Sequence, residues 1–369
     1  MSPKKSSRIL TFDLLRGYFL VAIILDHLAY FPNGIDWWGG RGNLYVSAAE
    51  GFFLISGIVL GIVRGRKLLD KPFKFAAKLL LQRSIQLYIT AVILMLFFTF
   101  LGWYFIDNPG VKPGIRPVDE NIWSVIWGGL TFNYIYGWAD YLRLYAIFLF
   151  VSPAALWLLR KGLWYVVLIV STFVWTQFGN SPLETNELSM VYSWQLIFFS
   201  GLVIGHHFND IRAWWEARSL LLRRITVACA VAITAITMLG NYIIVEAPEM
   251  FGGAITWLQN LHVTLQPYFA KEALPPARLA LFAIWFVASF WLFAHFERFI
   301  VRHLGWLLLP FGTNSLYVYT LHAFAVFGIH LIIKDPTSSW VVNFLLSASV
   351  VMLIWIAVRT KFLMKIIPR

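Results

Sequence analysis

Charge is scarce in this chain. Asp, Glu, Lys and Arg make up 13% of its 369 residues, against 59% hydrophobic. A soluble domain of this length cannot hide so much apolar surface, which excludes a soluble globule and leaves a polytopic membrane protein. Strand-like alternation is absent and the apolar runs are long, so helices are expected and a barrel is not. The single cysteine, Cys229, lies in an apolar run. It excludes an intrachain disulfide and a cysteine metal cluster, and reads as a buried, inert thiol. There is no GxSxG, no Walker lysine loop and no HExxH, hence no support for hydrolase, ATPase or zinc-protease chemistry, and no metal is expected. No CxxCH occurs, and nothing in the spacing of the histidines pairs them for haem. No internal repeat is visible, which withholds support from a repeat-built transporter. Nor is there a cleavable signal: Lys4, Lys5 and Arg8 lead straight into a full-length span.

What is present is a series of apolar segments separated by basic loops. Ten spans are expected, near residues 10–31, 45–63, 84–106, 141–159, 163–178, 190–206, 225–245, 279–296, 314–333 and 340–358. Residues 121–138 are apolar but short and rich in Gly, Trp and Tyr, so they read as an interfacial or re-entrant segment. Residues 304–311 look like an amphipathic approach, with Thr313 placed to cap the ninth span, and Ser152-Pro153 should bend the fourth. The long connection 246–276 is polar, with Glu246, Glu249 and Glu272. The formal charge of +12 does not form one soluble module, so no nucleic-acid partner is expected. Arg64–Arg83, Arg160-Lys161, Arg212–Arg224, Arg298–Arg302 and both ends sort to the cytoplasmic side, and the loops near Asn33, Asn108, Glu184, Glu249 and Asp335 to the outside. The fold class is therefore all-α, one transmembrane domain over residues 1–369 with both termini cytoplasmic. The basic stretches also suit contact with anionic membrane lipids. Gly57, Gly61 and Gly65, and again Gly201 and Gly205, recur every four residues. Such ridges let helices approach closely, within one chain or between copies of a homo-oligomer.

The first span carries Asp13, Arg16, Asp26 and His27. Ionisable groups cost about 2.5–3.5 kcal/mol each at the centre of a membrane helix, so they face a partner or a wet cavity. Arg16 and His27 are eleven positions apart, which returns them to within about 20° of one face, roughly 16 Å apart along the axis. Glu50 enters the second span at a depth close to His27, where a carboxylate would fix the imidazole tautomer of a general base or simply pair two helices. Asp26 points elsewhere on the helix and ranks behind Glu50 in that role. His322 sits mid-span in the ninth helix, as catalyst or core group. Trp194, Gln195, Asp140, Tyr141 and Asn133 could floor a sugar site, or belong to the aromatic belt of membrane proteins.

Four stretches together resemble the OpgC family of membrane acyltransferases, within the broader acyltransferase-3 group: Phe12–His27, Ser47–Gly61, Tyr192–Gly205 and Gly312–Phe324. Leu142–Gly162 is similar too. The arginine–histidine spacing matches that of acyltransferase-3 proteins. The resemblance implies transfer of an acyl group, succinyl or acetyl, from cytosolic acyl-CoA to a hydroxyl of an extracytoplasmic glycan of the cell envelope, in a bacterial-type cytoplasmic (inner) membrane. By the same carry-over His27 is the catalytic histidine, Arg16 belongs to the donor side, Glu50 is the SAAE glutamate, and Trp194, Gln195 and His322 match positions of later family motifs. Asp13 and Asp26, on the first span itself, are further candidates for substrate or donor binding. A transporter or flippase for an anionic or sugar-containing solute, using Arg16, His27 and Glu50 as substrate and proton sites, is the rival class. A scaffold without catalysis is the third.

Overall fold

A computed structural model describes residues 9–39, 44–138, 140–178, 186–251, 256–364 and 367. The basic N-terminal residues, Glu184, Lys365 and Arg369 lie outside that set, as do the side chains of Glu246 and Glu249. In chain order the helices are α1 (Leu10–Leu28), α2 (Ala48–Leu60), α3 (Phe73–Tyr104), α4 (Ile122–Leu130), α5 (Asp140–Arg160), α6 (Trp164–Thr176), α7 (Asn186–His206), α8 (Phe208–Glu216), α9 (Leu220–Phe251), α10 (Thr256–Leu265), α11 (Pro276–His295), α12 (Glu297–Thr313), α13 (Ser315–Ile332) and α14 (Trp340–Thr360). A π turn at Gly61–Arg66 continues α2. The protein is all-helical, with no strand among the described residues.

Seven of these elements are long and apolar enough to cross a membrane: α2 with its π turn, α3, α5, α9 over Leu220–Ile244, α11, α13 and α14. The other three expected spans fall outside that set for physical reasons. Helix α1 carries Asp13, Arg16 and Asp26; α6 has 13 residues, about 20 Å against a hydrocarbon core of about 30 Å; α7 interrupts its apolar run with Ser193, Gln195 and His206. On α3, Ile85, Ile89, Ile93, Phe97 and Phe100 are exposed at helical spacing, while Leu80, Ser84, Leu87, Ala91 and Met95 are buried on the other face. The exposed stripe is the surface that lipid would cover. Cys229, expected to be buried, is exposed on α9.

Two crossings hold the centre together. Helix α2 lies on α7 so closely that a methyl at Gly57 would land on the carbonyl oxygen of Phe198, and one at Gly61 on that of Leu202. The relation is reciprocal: Gly201 faces the carbonyl of Leu54, and Gly205 that of Ile58. Both glycine ridges are thus used up in one intrachain contact. In the same way Gly17 of α1 meets the carbonyl of Leu308, and Gly312 of α12 meets that of Asp13. Thr11 Oγ1 donates to Glu297 Oε2 at 2.6 Å and ties the start of α12 to α1.

Several local expectations change. The amphipathic segment near 304–311 is the latter half of a full helix, α12. Thr313 ends that helix instead of capping the next, its hydroxyl donating to the Pro310 carbonyl at 3.3 Å. Pro153, where a bend is expected, lies inside the helix Asp140–Arg160 and does not end it. The connection 246–276 contains helix: α9 runs on to Phe251, and α10 and a short 3-10 turn, Gln266–Phe269, follow. At the far end of α2, Arg66 Nη1 donates to Asp210 Oδ2 at 2.8 Å on α8. That hydrogen bond holds the Asp210 carboxyl below its ordinary range, although an exposed pair of this kind adds little stability.

Gly57→Ala and Gly205→Ala each force a Cβ onto a backbone carbonyl that cannot swing aside. Each should cost at least about 1–3 kcal/mol, read as a lower melting temperature of the detergent-solubilised protein. An unshifted melt in both variants would show that the α2–α7 contact is looser than described.

Candidate functional site

Helices α1 and α13 run in the same direction, since Arg16 meets Ser315, His27 meets His322 and Tyr30 meets Ile333 in matching order. This pairing brings together three of the residues picked out by sequence. The Arg16 guanidinium donates to Ser315 Oγ and lies 5.8 Å from the Phe52 ring centre. Three cavities share Arg16 as a wall. One, about 520 Å³, adds Arg64, Arg83 and Gln86. A second, about 600 Å³, adds Arg66, Lys67, Arg212 and the buried Asp13. The third, about 260 Å³, leads from Arg16 past Arg83 and Tyr145 to Tyr141 and Tyr319. All three are basic at the Arg16 end, a field suited to a polyanionic ligand.

The third cavity ends one ring short of the histidines. Tyr319 packs on His322 with ring centres 4.6 Å apart. His322 is fully buried, and its Nδ1 lies 2.5 Å from the Tyr319 carbonyl oxygen. A carbonyl can only accept, so that nitrogen carries the proton. His322 Nε2 is 2.8 Å from His27 Nδ1. With both rings neutral, Nε2 of His322 is the acceptor and His27 Nδ1 the donor, leaving the lone pair of His27 on Nε2. That nitrogen has no hydrogen-bond partner among the described residues, and His27 is half-buried. Trp138 stacks on the His27 ring at 4.4 Å and 24°. Lys112 in turn lies 4.2 Å over Trp138, its ammonium donating to the Gly137 carbonyl at 2.6 Å.

The expected pairing of His27 with Glu50 is not formed. Glu50 is fully buried but turned to other partners. Its Oε2 takes the Ser47 backbone N–H at 3.2 Å and the Ser47 hydroxyl, closing a capping box at the start of α2. Its Oε1 takes Arg278 Nε at 2.6 Å, and Arg278 also donates to the Phe269 carbonyl at 2.7 Å. Arg278 is itself buried, so the pair is a charge-compensated clamp between α2 and α11. Asp26 turns towards the backbone at Gly39, away from the histidines. Trp194 is fully buried against Phe53 and Tyr141. Gln195 is tied to α6, accepting from Ser171 Oγ and donating to the Ser171 carbonyl at 2.7 Å. Asn133 is exposed on the loop after α4. The sugar floor expected from these residues is therefore not assembled as one surface.

Residues that sequence reasoning passed over complete the region. Arg278 is an arginine two positions into an apolar helix, itself a signal of a buried partner, and Ser47 with Glu50 spells a capping box. Lys271 sits in the loop before α11, where the Tyr141 phenol and then Glu50 hold its ammonium above the ordinary range against the effect of burial. It lines an open cavity of about 380 Å³ with His262, Phe269, Glu272 and Arg278. No pattern in the 246–276 connection announced this.

Helices long and apolar enough to cross a membrane, with Arg16, His27, His322 and the buried Glu50–Arg278 pair held between them, describe a membrane protein organised around an internal polar axis. The family described as OpgC protein matches residues 8–366, and the chain belongs to that family. The membership points to an acyltransferase associated with the membrane and with glycan modification. No curated protein and no solved structure gives a significant match.

Glu50→Ala leaves Arg278 charged, buried and unpaired, a loss of about 3–5 kcal/mol. It should appear as aggregation or a strongly lowered melt on size-exclusion and thermal assays. A stable, monodisperse E50A protein would show that the pair is not a structural clamp.

Proposed function

We propose that the protein transfers an acyl group from cytosolic acyl-CoA, through the bundle, to a hydroxyl of an extracytoplasmic glycan. The orientation follows the loop charges: the Arg16 end faces the cytoplasm and His27 lies towards the outside, in a ten-span topology with both termini inside. Arg16, Arg64 and Arg83 would receive the phosphates of the donor, and the extended pantetheine arm suits the narrower cavity towards Tyr319. The observation that carries the reading is the proton order of the histidine pair. The Tyr319 carbonyl orients His322, His322 orients His27, and His27 is left with a lone pair for an incoming hydroxyl.

In the step this arrangement supports, His27 Nε2 takes the acceptor proton while the acceptor oxygen attacks the thioester carbonyl. The tetrahedral intermediate then expels the CoA thiolate, which recovers the proton from the imidazolium. The products are an ester and CoA thiol. In this reading the acceptor approaches by way of the open cavity lined by Lys271 and His262.

Proteoliposomes loaded with labelled acyl-CoA should place label on external glycan. His27→Ala should abolish transfer, and His322→Ala, which releases the His27 ring without touching substrate, should lower kcat by about 10²–10⁴-fold. Label transferred equally well by H27A would refute the general-base role, and solute flux without a covalent product would refute transfer itself.

A further inference from the structure

The mechanism above leaves the developing oxyanion without a donor, and one side chain is placed to serve it. Tyr319 lies on α13 between Ser315 and His322, so its level falls between Arg16 and the histidine pair, about 6 Å above the one and 4–5 Å below the other at 1.5 Å per residue. It lines the far end of the cavity that begins at Arg16. Its ring is 3% exposed and packs on His322 at 4.6 Å and on Tyr141 at 6.0 Å. Yet its hydroxyl is buried, and its proton has no acceptor among the described residues. A buried hydroxyl whose proton has no acceptor is destabilising, and such a group calls for an explanation.

The surroundings do not consume the phenol proton. The backbone amide of Tyr141, in the first turn of α5, faces the phenol oxygen and can only donate to it. Asp140 stands beside it in the chain, but its Oδ1 is likewise buried and unpartnered, so the two do not satisfy one another. A buried donor and a buried acceptor in this region are thus each left without a complementary group among the described residues. Tyr319 also serves from both ends: its carbonyl fixes the tautomer of His322, while its phenol is free for the reacting group.

We infer that the Tyr319 hydroxyl donates the hydrogen bond that stabilises the tetrahedral oxyanion formed from the thioester carbonyl. The inference rests on the acyl-transfer reading. As the acceptor oxygen forms its bond to the carbonyl carbon, the C=O electron pair moves onto oxygen and is met by Tyr319 Oη–H, which keeps its proton. The pair returns when the C–S bond breaks, and the hydrogen bond relaxes. A phenol, which stays protonated near neutral pH, is suited to this and not to the base role.

Two substitutions test it in reconstituted full-length protein, with acyl-CoA as donor and glycan as acceptor. Tyr319→Phe removes one hydroxyl whose proton has no acceptor, so the protein should melt close to the wild-type temperature. Its kcat should fall about 10²–10³-fold, as on removing one oxyanion donor, with KM for the donor little changed. Replacing Tyr319 with 3-fluorotyrosine preserves shape and restores the donor. It should recover most of the turnover and make kcat respond to phenol acidity. Wild-type turnover in Y319F, loss of activity together with thermal stability, or a fluorinated protein no faster than Y319F would each overturn the inference. Absence of any transfer by the wild type would instead remove the acyl-transfer reading on which it stands.

Discussion

A backbone carbonyl oxygen has lone pairs and no proton, and the direction of hydrogen bonding through the centre of this protein follows from that. Because the Tyr319 carbonyl can only accept, His322 must present its proton there and its lone pair to His27. His27 is then left with its own lone pair on the far nitrogen. The order is set by main chain, which a helix holds more firmly than any side chain. Sequence offered a carboxylate for this task, and the fold uses an imidazole braced by a helical carbonyl.

The rest of the bundle is arranged so that polar groups on α1 never meet lipid unaccompanied. Thr11 has Glu297, Arg16 has Ser315, and His27 has His322 and Trp138. Arg16, with Asp13 and Asp26, also makes α1 too charged to read as a span on composition. A helix that reads as a poor membrane crosser is, for that reason, largely enclosed by other helices. On α3 the opposite holds: with few polar obligations, half of its surface is left exposed.

Much of this was legible in order along the chain. The helical class, the shared face of Arg16 and His27, and the glycine ridges all rest on short-range periodicity, and short-range periodicity survives into the fold. The partner of Glu50 did not, because Arg278 is 228 positions away and nothing local distinguishes one buried cation from another. His322 was visible as a mid-span histidine, but its contact with His27 spans 295 positions. The misreading of Cys229 has the same root: an apolar run states that a residue avoids water, without saying whether protein or lipid provides the shelter.

The two glycine-mediated crossings bear on how such a protein could move. Where backbone presses on backbone, as at Gly57 over Phe198 and Gly312 over Asp13, there are no side chains to re-pack and no intermediate spacing to adopt. A carrier that rocks one half against the other must part a surface of this sort on every cycle. Here α2 is keyed to α7, and α1 to α12, by backbone contact, so in the acyl-transfer reading proposed above it is the ligands that move past the lining rings while these crossings stay closed.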